Sequence, residues 1–402
     1  MVTELTTQVD TGERFVARRA IAWAAAAVAV VAAPSIDLAR DDLARPAAQH
    51  IVQATIDALD RGATHYTDRT GIVPLRAAVA ARFAEQDDIA YDPNGEILIA
   101  GGGHEALFVA TQMVVEPGDE VLIVEPAPPA FAEGVRLAGG VPIPVPTYAE
   151  DRFALKAEMV RQRITSRTRA LIFASPSVPA GGVTTGGDLV DLAKVARAHN
   201  LSIIWDETYR DYVFGNSPQA NIAALPGMRE RTVIVGSLSA RYAMSGWRAG
   251  YVVGPAALVR PITMMKQALT ICSPAPSQWA ALAALEGPQG EADAAVHEVA
   301  TRRATARRAL VLLGLSGVGA GSPYLFIDVR ALGITGRAFT DLALREAGVR
   351  LMPGDTYGAA GIWHVRLTLD AAAATLREAI GRLTPLVTRL RRELHEGQGE
   401  GR

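Results

Sequence analysis

Val235-Gly236-Ser237-Leu238-Ser239-Ala240-Arg241-Tyr242-Ala243-Met244-Ser245-Gly246-Trp247-Arg248-Ala249-Gly250 is the stretch on which the reading of this chain turns. Two serines flank a leucine, an alanine follows directly, and Gly246-x-Arg248-x-Gly250 closes the run. Around it lies a chain of 402 residues, 49% hydrophobic and 20% charged, with a net charge of −2. That length exceeds one small core, so one large and one smaller domain are expected. The composition is that of an ordinary soluble globular protein. A nearly balanced charge gives no pull toward nucleic acid or an anionic membrane, and neither is expected as a partner. The single cysteine, Cys272, excludes an internal disulfide and a cysteine-based metal cluster, and reads as a buried thiol. Basic residues are nearly all arginine, and the lysines are Lys156, Lys194 and Lys266. Lys156 and Lys194 fall in polar helices and Lys266 in a helix over 261–270, so all three are expected at the surface.

Residues 20–33 form an apolar run after Arg18-Arg19, in outline a secretion signal. The run is shorter than the ~20 residues that span a bilayer. It passes into Ser35-Ile36-Asp37-Leu38 without a clear small-residue cleavage site. It therefore reads as part of a helix over 13–33 in the folded body, after a loose arm over 1–12, and the protein as cytoplasmic.

Further along, Ile36-Asp37-Leu38 reads as a short strand followed by Ala39-Arg40-Asp41-Asp42-Leu43. A helix over 46–59 is entered by Pro46. His65-Tyr66-Thr67-Asp68-Arg69-Thr70-Gly71-Ile72-Val73-Pro74-Leu75-Arg76 makes a turn into a helix over 74–83. The strand Ile97-Leu98-Ile99 ends in Ala100-Gly101-Gly102-Gly103-His104 and a helix. A glycine loop at a helix N-terminus offers bare N–H donors and the positive end of the dipole, which suits phosphate. His104 is either a capping or surface residue or an acid–base group facing a pocket. Short apolar strands at 121–126 and 170–173 lead into Ala127-Pro128-Pro129 and Ala174-Ser175-Pro176-Ser177-Val178-Pro179. Ser202-Ile203-Ile204-Trp205-Asp206-Glu207-Thr208-Tyr209 ends a buried strand in a carboxylate, which is costly without a cation or N–H donors opposite. Beyond about residue 286 come a long Arg/Ala-rich helix, a strand at 324–329, His364-Val365-Arg366-Leu367-Thr368, and a closing helix over 370–393 with a frayed tail from 397.

Taken together, these motifs resemble the class I/II aminotransferases, fold-type I enzymes that use pyridoxal phosphate, over roughly residues 20–390. The resemblance implies an α/β, aspartate-aminotransferase-like fold: a large domain with a mainly parallel sheet flanked by helices, plus a small α/β domain. The implied division is an N-terminal arm and part of the small domain over 1–45, a large domain over 46–286, and a C-terminal small domain over 287–402. It implies phosphate ligands at Gly102, Gly103, His104, Ser237, Ser239 and Arg248. Asp206 would pair with the pyridine nitrogen and Tyr209 with the phenolic oxygen. Tyr66 would reach the phosphate of the neighbouring subunit in a homodimer. Arg366 would clamp the substrate α-carboxylate, with Arg40, Pro128 and Val178 lining the substrate side.

The resemblance also exposes departures. The family's Schiff-base lysine is Ala240, its stacking aromatic is Pro128, its asparagine is Val178, and its Gly-x-Pro glycine is Asp41. A methyl group can neither form the Schiff base nor shuttle a proton. Ordinary transamination is therefore not expected. The expectation is an enzyme repurposed for proton transfer, cyclisation, elimination or condensation on a carboxylate- or phosphate-bearing small molecule. Asp206, Tyr209, His104 and Asp41 would be its acid–base groups. Pyridoxal or pyridoxamine phosphate would be held without a covalent bond, or not at all. The alternatives are a non-catalytic ligand-binding or regulatory homologue, and a lysine-to-alanine mutant of an aminotransferase.

Overall fold

The structure, a computed structural model, describes residues 35–41, 45–215 and 220–399. The expected arm over 1–12 and helix over 13–33 lie outside the described residues, as do Asp42 and Leu43.

Seven strands form the main sheet in the order β2-β8-β7-β6-β5-β3-β4. They are β2 (Ile97–Ala100), β3 (Glu120–Glu125), β4 (Val141–Pro146), β5 (Thr168–Ala174), β6 (Ser202–Asp206), β7 (Thr232–Ser237) and β8 (Gly250–Val253). Neighbours from β4 to β7 pair in parallel, and β8 alone runs against both β2 and β7. The interior strands read as short, nearly continuous apolar runs because helices cover both faces. One face buries Leu122, Leu171, Ile203 and Ile234, the other Val121, Ile172, Ile204 and Val235.

A second, antiparallel sheet has the order β12-β13-β10-β9: Met352–Pro353, His364–Thr368, Tyr324–Asp328 and Ser316–Val318. β1 (Ile36–Asp37) pairs in parallel with β11 (Val349–Arg350), so the start of the described chain adds to the C-terminal part. Long helices Gly290–Leu312 and Ala373–Gly399 pack with this part. The α/β architecture with a mainly parallel sheet agrees with the reading of the sequence.

Element ends differ by a few residues. The helix expected from Pro46 begins at Gln49, which leaves the proline in the approach rather than the first turn. The helix expected over 261–270 begins at Ala256, so Pro261 stands inside it. Helix Val73–Asp87 carries Pro74 in its first turn, where a missing N–H costs nothing. Among the described residues, no helix is long and apolar enough to cross a membrane.

Candidate functional site

The strand directions collect the candidate residues at one edge of the main sheet. β2 runs along β7, so the exits of β2, β6 and β7 lie together. They carry Gly101-Gly102-Gly103, Asp206 and Ser237 respectively. The register places both Ala100 and Ser237 opposite Gly250. Ligand sites of open α/β sheets form at such carboxyl ends.

Gly102 caps helix Gly103–Val114 at φ +94°, a conformation that side chains rarely adopt. A Cβ there would lie 2.5 Å from Arg248 Nη2, so the guanidinium rests directly on the bare glycine. A Cβ on Gly103 would meet Ser237 Cβ at 3.1 Å and Thr208 Oγ1 at 3.2 Å. Ser237 Oγ donates to Ser239 Oγ at 3.0 Å and accepts from the Ser239 N–H at 3.2 Å. Arg248 Nη1 donates to the Ser245 carbonyl at 2.9 Å. One guanidinium, three hydroxyls and a helix N-terminus thus form a cup suited to a phosphate.

Glu105 and Lys266 support this loop. Glu105 Oε2 accepts from the Gly101 N–H, and its Oε1 accepts from Thr270 Oγ1 at 2.7 Å. Lys266 Nζ donates to Thr270 Oγ1 at 2.9 Å and lies 3.7 Å from Glu105 Oε1. The Lys266 side chain is 0% exposed, which corrects its expected surface position. Burial lowers the pKa of its ammonium, and Glu105 opposes that shift. Lys156 and Lys194 do reach solvent, paired with Asp188 and Asp191.

Asp206 ends β6 with Oδ1 accepting the Thr208 N–H at 2.8 Å. Burial raises its carboxyl pKa, while the Thr208 bonds and the charge of His104 act the other way. The donor expected opposite this carboxylate, which is half-buried, is therefore Thr208. His104 itself is exposed in the first turn of its helix. Tyr209 O–H shares a 3.1 Å hydrogen bond with Tyr324 O–H. Burial pushes the Tyr209 hydroxyl up to about 12, and it feels Asp41, Asp206 and Arg366. Tyr209 thus stands among the candidates from both sheets.

Arg366 on β13 is buried, not a solvent-facing strand residue. Its Nη1 donates to Asp41 Oδ1, and its Nη2 to the carbonyls of Ala39 and, at 3.3 Å, Arg40. Its guanidinium lies 4.6 Å from the Tyr324 ring centre and 5.7 Å from that of Tyr357. Arg40 contributes that carbonyl, and the residue is exposed.

Ala240 is buried in the short helix Ser239–Tyr242 directly after the cup. Its carbonyl accepts from Tyr212 O–H at 2.9 Å and from Arg45 Nη2 at 3.4 Å. Its methyl has no hydrogen-bonding capacity. Val178 is buried in the turn after β5. Pro128 is half-buried and caps helix Pro129–Leu137. Tyr66 is 78% exposed, beside His65, Cys272 and Ser273 in an open cleft. Cys272 is half-buried rather than enclosed.

Three contributors were missed in the sequence. Thr208 was visible as the hydroxyl two residues after Asp206. Tyr324 and Arg45 had no local signal, because their partners Tyr209 and Ala240 lie 115 and 195 residues away.

With that geometry in hand, the likenesses are informative. Residues 33–383 match the family described as aminotransferase class I and II. The chain is 35% identical to an aspartate aminotransferase of Pyrococcus abyssi over 355 residues, 87% of this chain and 90% of that one. It is 36% identical to an arginine–pyruvate transaminase of Pseudomonas aeruginosa over 340 residues, 83% of this chain and 85% of that one. The aromatic aminotransferase structure of Pyrococcus horikoshii superposes with TM-score 0.87 at 34% identity, covering 89% of this chain and 96% of that one. N-succinyldiaminopimelate aminotransferase of Mycobacterium tuberculosis gives 0.84 at 31%, covering 94% and 100%.

The chain belongs to the class I and II aminotransferases. That corrects the expectation drawn from the departures. Relatives at about this distance over most of the chain are named as ordinary aminotransferases, so a reaction other than transamination is not supported. Four substitutions had been weighed above a family likeness that runs over residues 33–383. Pyridoxal phosphate is accordingly the cofactor that the family implies.

Proposed function

We propose that this chain transfers amino groups between α-amino acids and oxo acids, using pyridoxal phosphate held by its phosphate and ring contacts. The observation that carries the reading is the cup of Gly102, Gly103, Ser237, Ser239 and Arg248 beside Asp206. The cradle fits a phosphate because a Cβ at Gly102 would strike Arg248 at 2.5 Å. Pyridoxal phosphate, when bound, supplies a carbonyl that takes up an amino group and a ring that accepts electron density.

The chain's own residues divide the remaining work. Arg248, Ser237, Ser239 and the N–H groups of the Gly102-Gly103 turn would hold the phosphate. Asp206 would hold a proton at the ring nitrogen, and the Thr208 N–H keeps its carboxylate oriented. Tyr209, bonded to Tyr324, would donate to the phenolic oxygen. Arg366 would hold the substrate carboxylate. Ala240 can neither tether the cofactor nor move a proton, so unaided turnover would be slow and the cofactor exchangeable.

A homodimer is part of this reading, supported by the exposed Tyr66, which the family resemblance carries to the neighbour's phosphate. The large part over 46–286, the small part over 287–402 and a cytoplasmic location belong to it as well. The separate sheets support the division.

Absorption titration of the purified chain with pyridoxal and pyridoxamine phosphate tests the reading. Saturable binding of both, lost in Arg248→Ala, is expected. Failure of both to bind would sink it.

A further inference from the structure

We propose that Asp41 is a built-in counter-carboxylate: it takes the guanidinium of Arg366 that a substrate carboxylate needs, and so weakens the site's hold on carboxylate ligands. This rests on the reading of Arg366 as the substrate clamp. The Arg366 side chain is 1% exposed; both terminal nitrogens are engaged, while its buried Nε has no partner among the described residues. Its Nη2 is taken by the carbonyls of Ala39 and Arg40, and the Tyr324 and Tyr357 rings cover its faces. Its Nη1 is taken by Asp41.

Of these partners only Asp41 can withdraw cheaply. The rings of Tyr324 and Tyr357 belong to buried residues. The chain before Ala39 is pinned, with the Leu38 N–H donating to Arg350 O at 2.9 Å and Leu38 O accepting from the Thr368 N–H at 3.0 Å. Asp41, by contrast, is 67% exposed at its side chain, so a rotation returns its carboxylate to water. Two carboxylates at one guanidinium repel each other. A ligand carboxylate that binds end-on, across both terminal nitrogens, needs the Nη1 that Asp41 occupies. Asp41 and a ligand carboxylate that engages Nη1 therefore compete for the guanidinium. A ligand that presents a carboxylate across both terminal nitrogens must first displace Asp41, whereas one without a carboxylate need not.

The test is calorimetric titration of the cofactor-free chain with maleate, a dicarboxylate with no amino group to transfer. Four proteins are compared: unmodified, Asp41→Asn, Asp41→Gly and Arg366→Gln. The asparagine variant keeps the size of the side chain and an acceptor for Nη1, so it guards against a folding defect. Both Asp41 variants are expected to bind maleate roughly tenfold tighter than the unmodified chain, and Arg366→Gln to lose binding. Equal or weaker binding by both Asp41 variants, with Arg366→Gln still losing it, would overturn the role of Asp41 and leave the clamp standing. Undiminished binding by Arg366→Gln, or none by any of the four, would remove the clamp and the proposal together.

Discussion

The guanidinium of Arg248 sits on the α-carbon of Gly102, so close that a methyl group there would come within 2.5 Å of Nη2. The two residues are far apart in the chain. They are joined because β8 lies between β2 and β7, and the residue after the Arg248-Ala249 turn begins β8. Gly102→Ala is therefore expected to fail twice, through a strained φ and through displacement of the guanidinium. Overpacking of this kind costs about 1–3 kcal/mol. Pyridoxal phosphate should bind at least roughly tenfold more weakly to the variant by absorption titration. Unchanged affinity would show that the cup does not hold the phosphate.

Asp206 gives a pH-dependent signature. Burial raises its carboxyl above the ordinary 3.8. A carboxyl raised by folding binds its proton better in the folded state. Stability then falls as pH rises above 3.8 through the raised folded value. Asp206→Asn keeps an acceptor for the Thr208 N–H and removes the charge. The cofactor-free variant should melt higher than the unmodified chain at pH 7. The gain should shrink as pH falls toward 3.8, and calorimetric scans across pH check both points. An equal or lower midpoint at pH 7 would contradict the assignment.

The loop after Asp206 is held by a buried charge network. Arg210 pairs with Asp87 and, at 3.0 Å, with Glu207, whose other oxygen accepts from Tyr251 O–H at 2.7 Å. Their side chains are 9%, 4% and 1% exposed, so removing the arginine takes the ion-pair partner from two buried carboxylates, which keep the neutral donors Tyr251 and Asn221. Arg210→Ala is expected to cost about 3–5 kcal/mol in denaturant unfolding. A loss below 1 kcal/mol, roughly the value of a surface pair, would show the network is solvated.

Much of the fold was legible because its signals are local. Buried strands read as short apolar runs, and the glycine turn, the Asp206 strand end and Arg366 stood in a recognisable order. What could not be read came from long-range packing. The Asp41–Arg366 pair spans 325 positions, and nothing near either residue announces it. Lys266 is a different failure, since its signal was present. Val259, Ile262, Thr263 and Lys266 are the buried residues of their helix, spaced on one face, so the lysine falls on the inward stripe. Reading lysine as polar overrode that periodicity. The function was misjudged for a related reason: losses at Ala240, Pro128, Val178 and Asp41 were counted against a frame that the rest of the chain retains.

Ala240 follows Ser239 of the phosphate cup directly in the chain, and its methyl can move no proton, so restoring an amine should restore speed. The most direct measurement is the amino-transfer rate of the unmodified chain against Ala240→Lys, with pyridoxal phosphate and a panel of amino acids and oxo acids. A positioned acid–base group contributes ~10²–10⁴-fold. Slow but real transfer by the unmodified chain, and a gain of about that size in the variant, are expected. No transfer by either protein, at cofactor concentrations that saturate both, would contradict the proposed function.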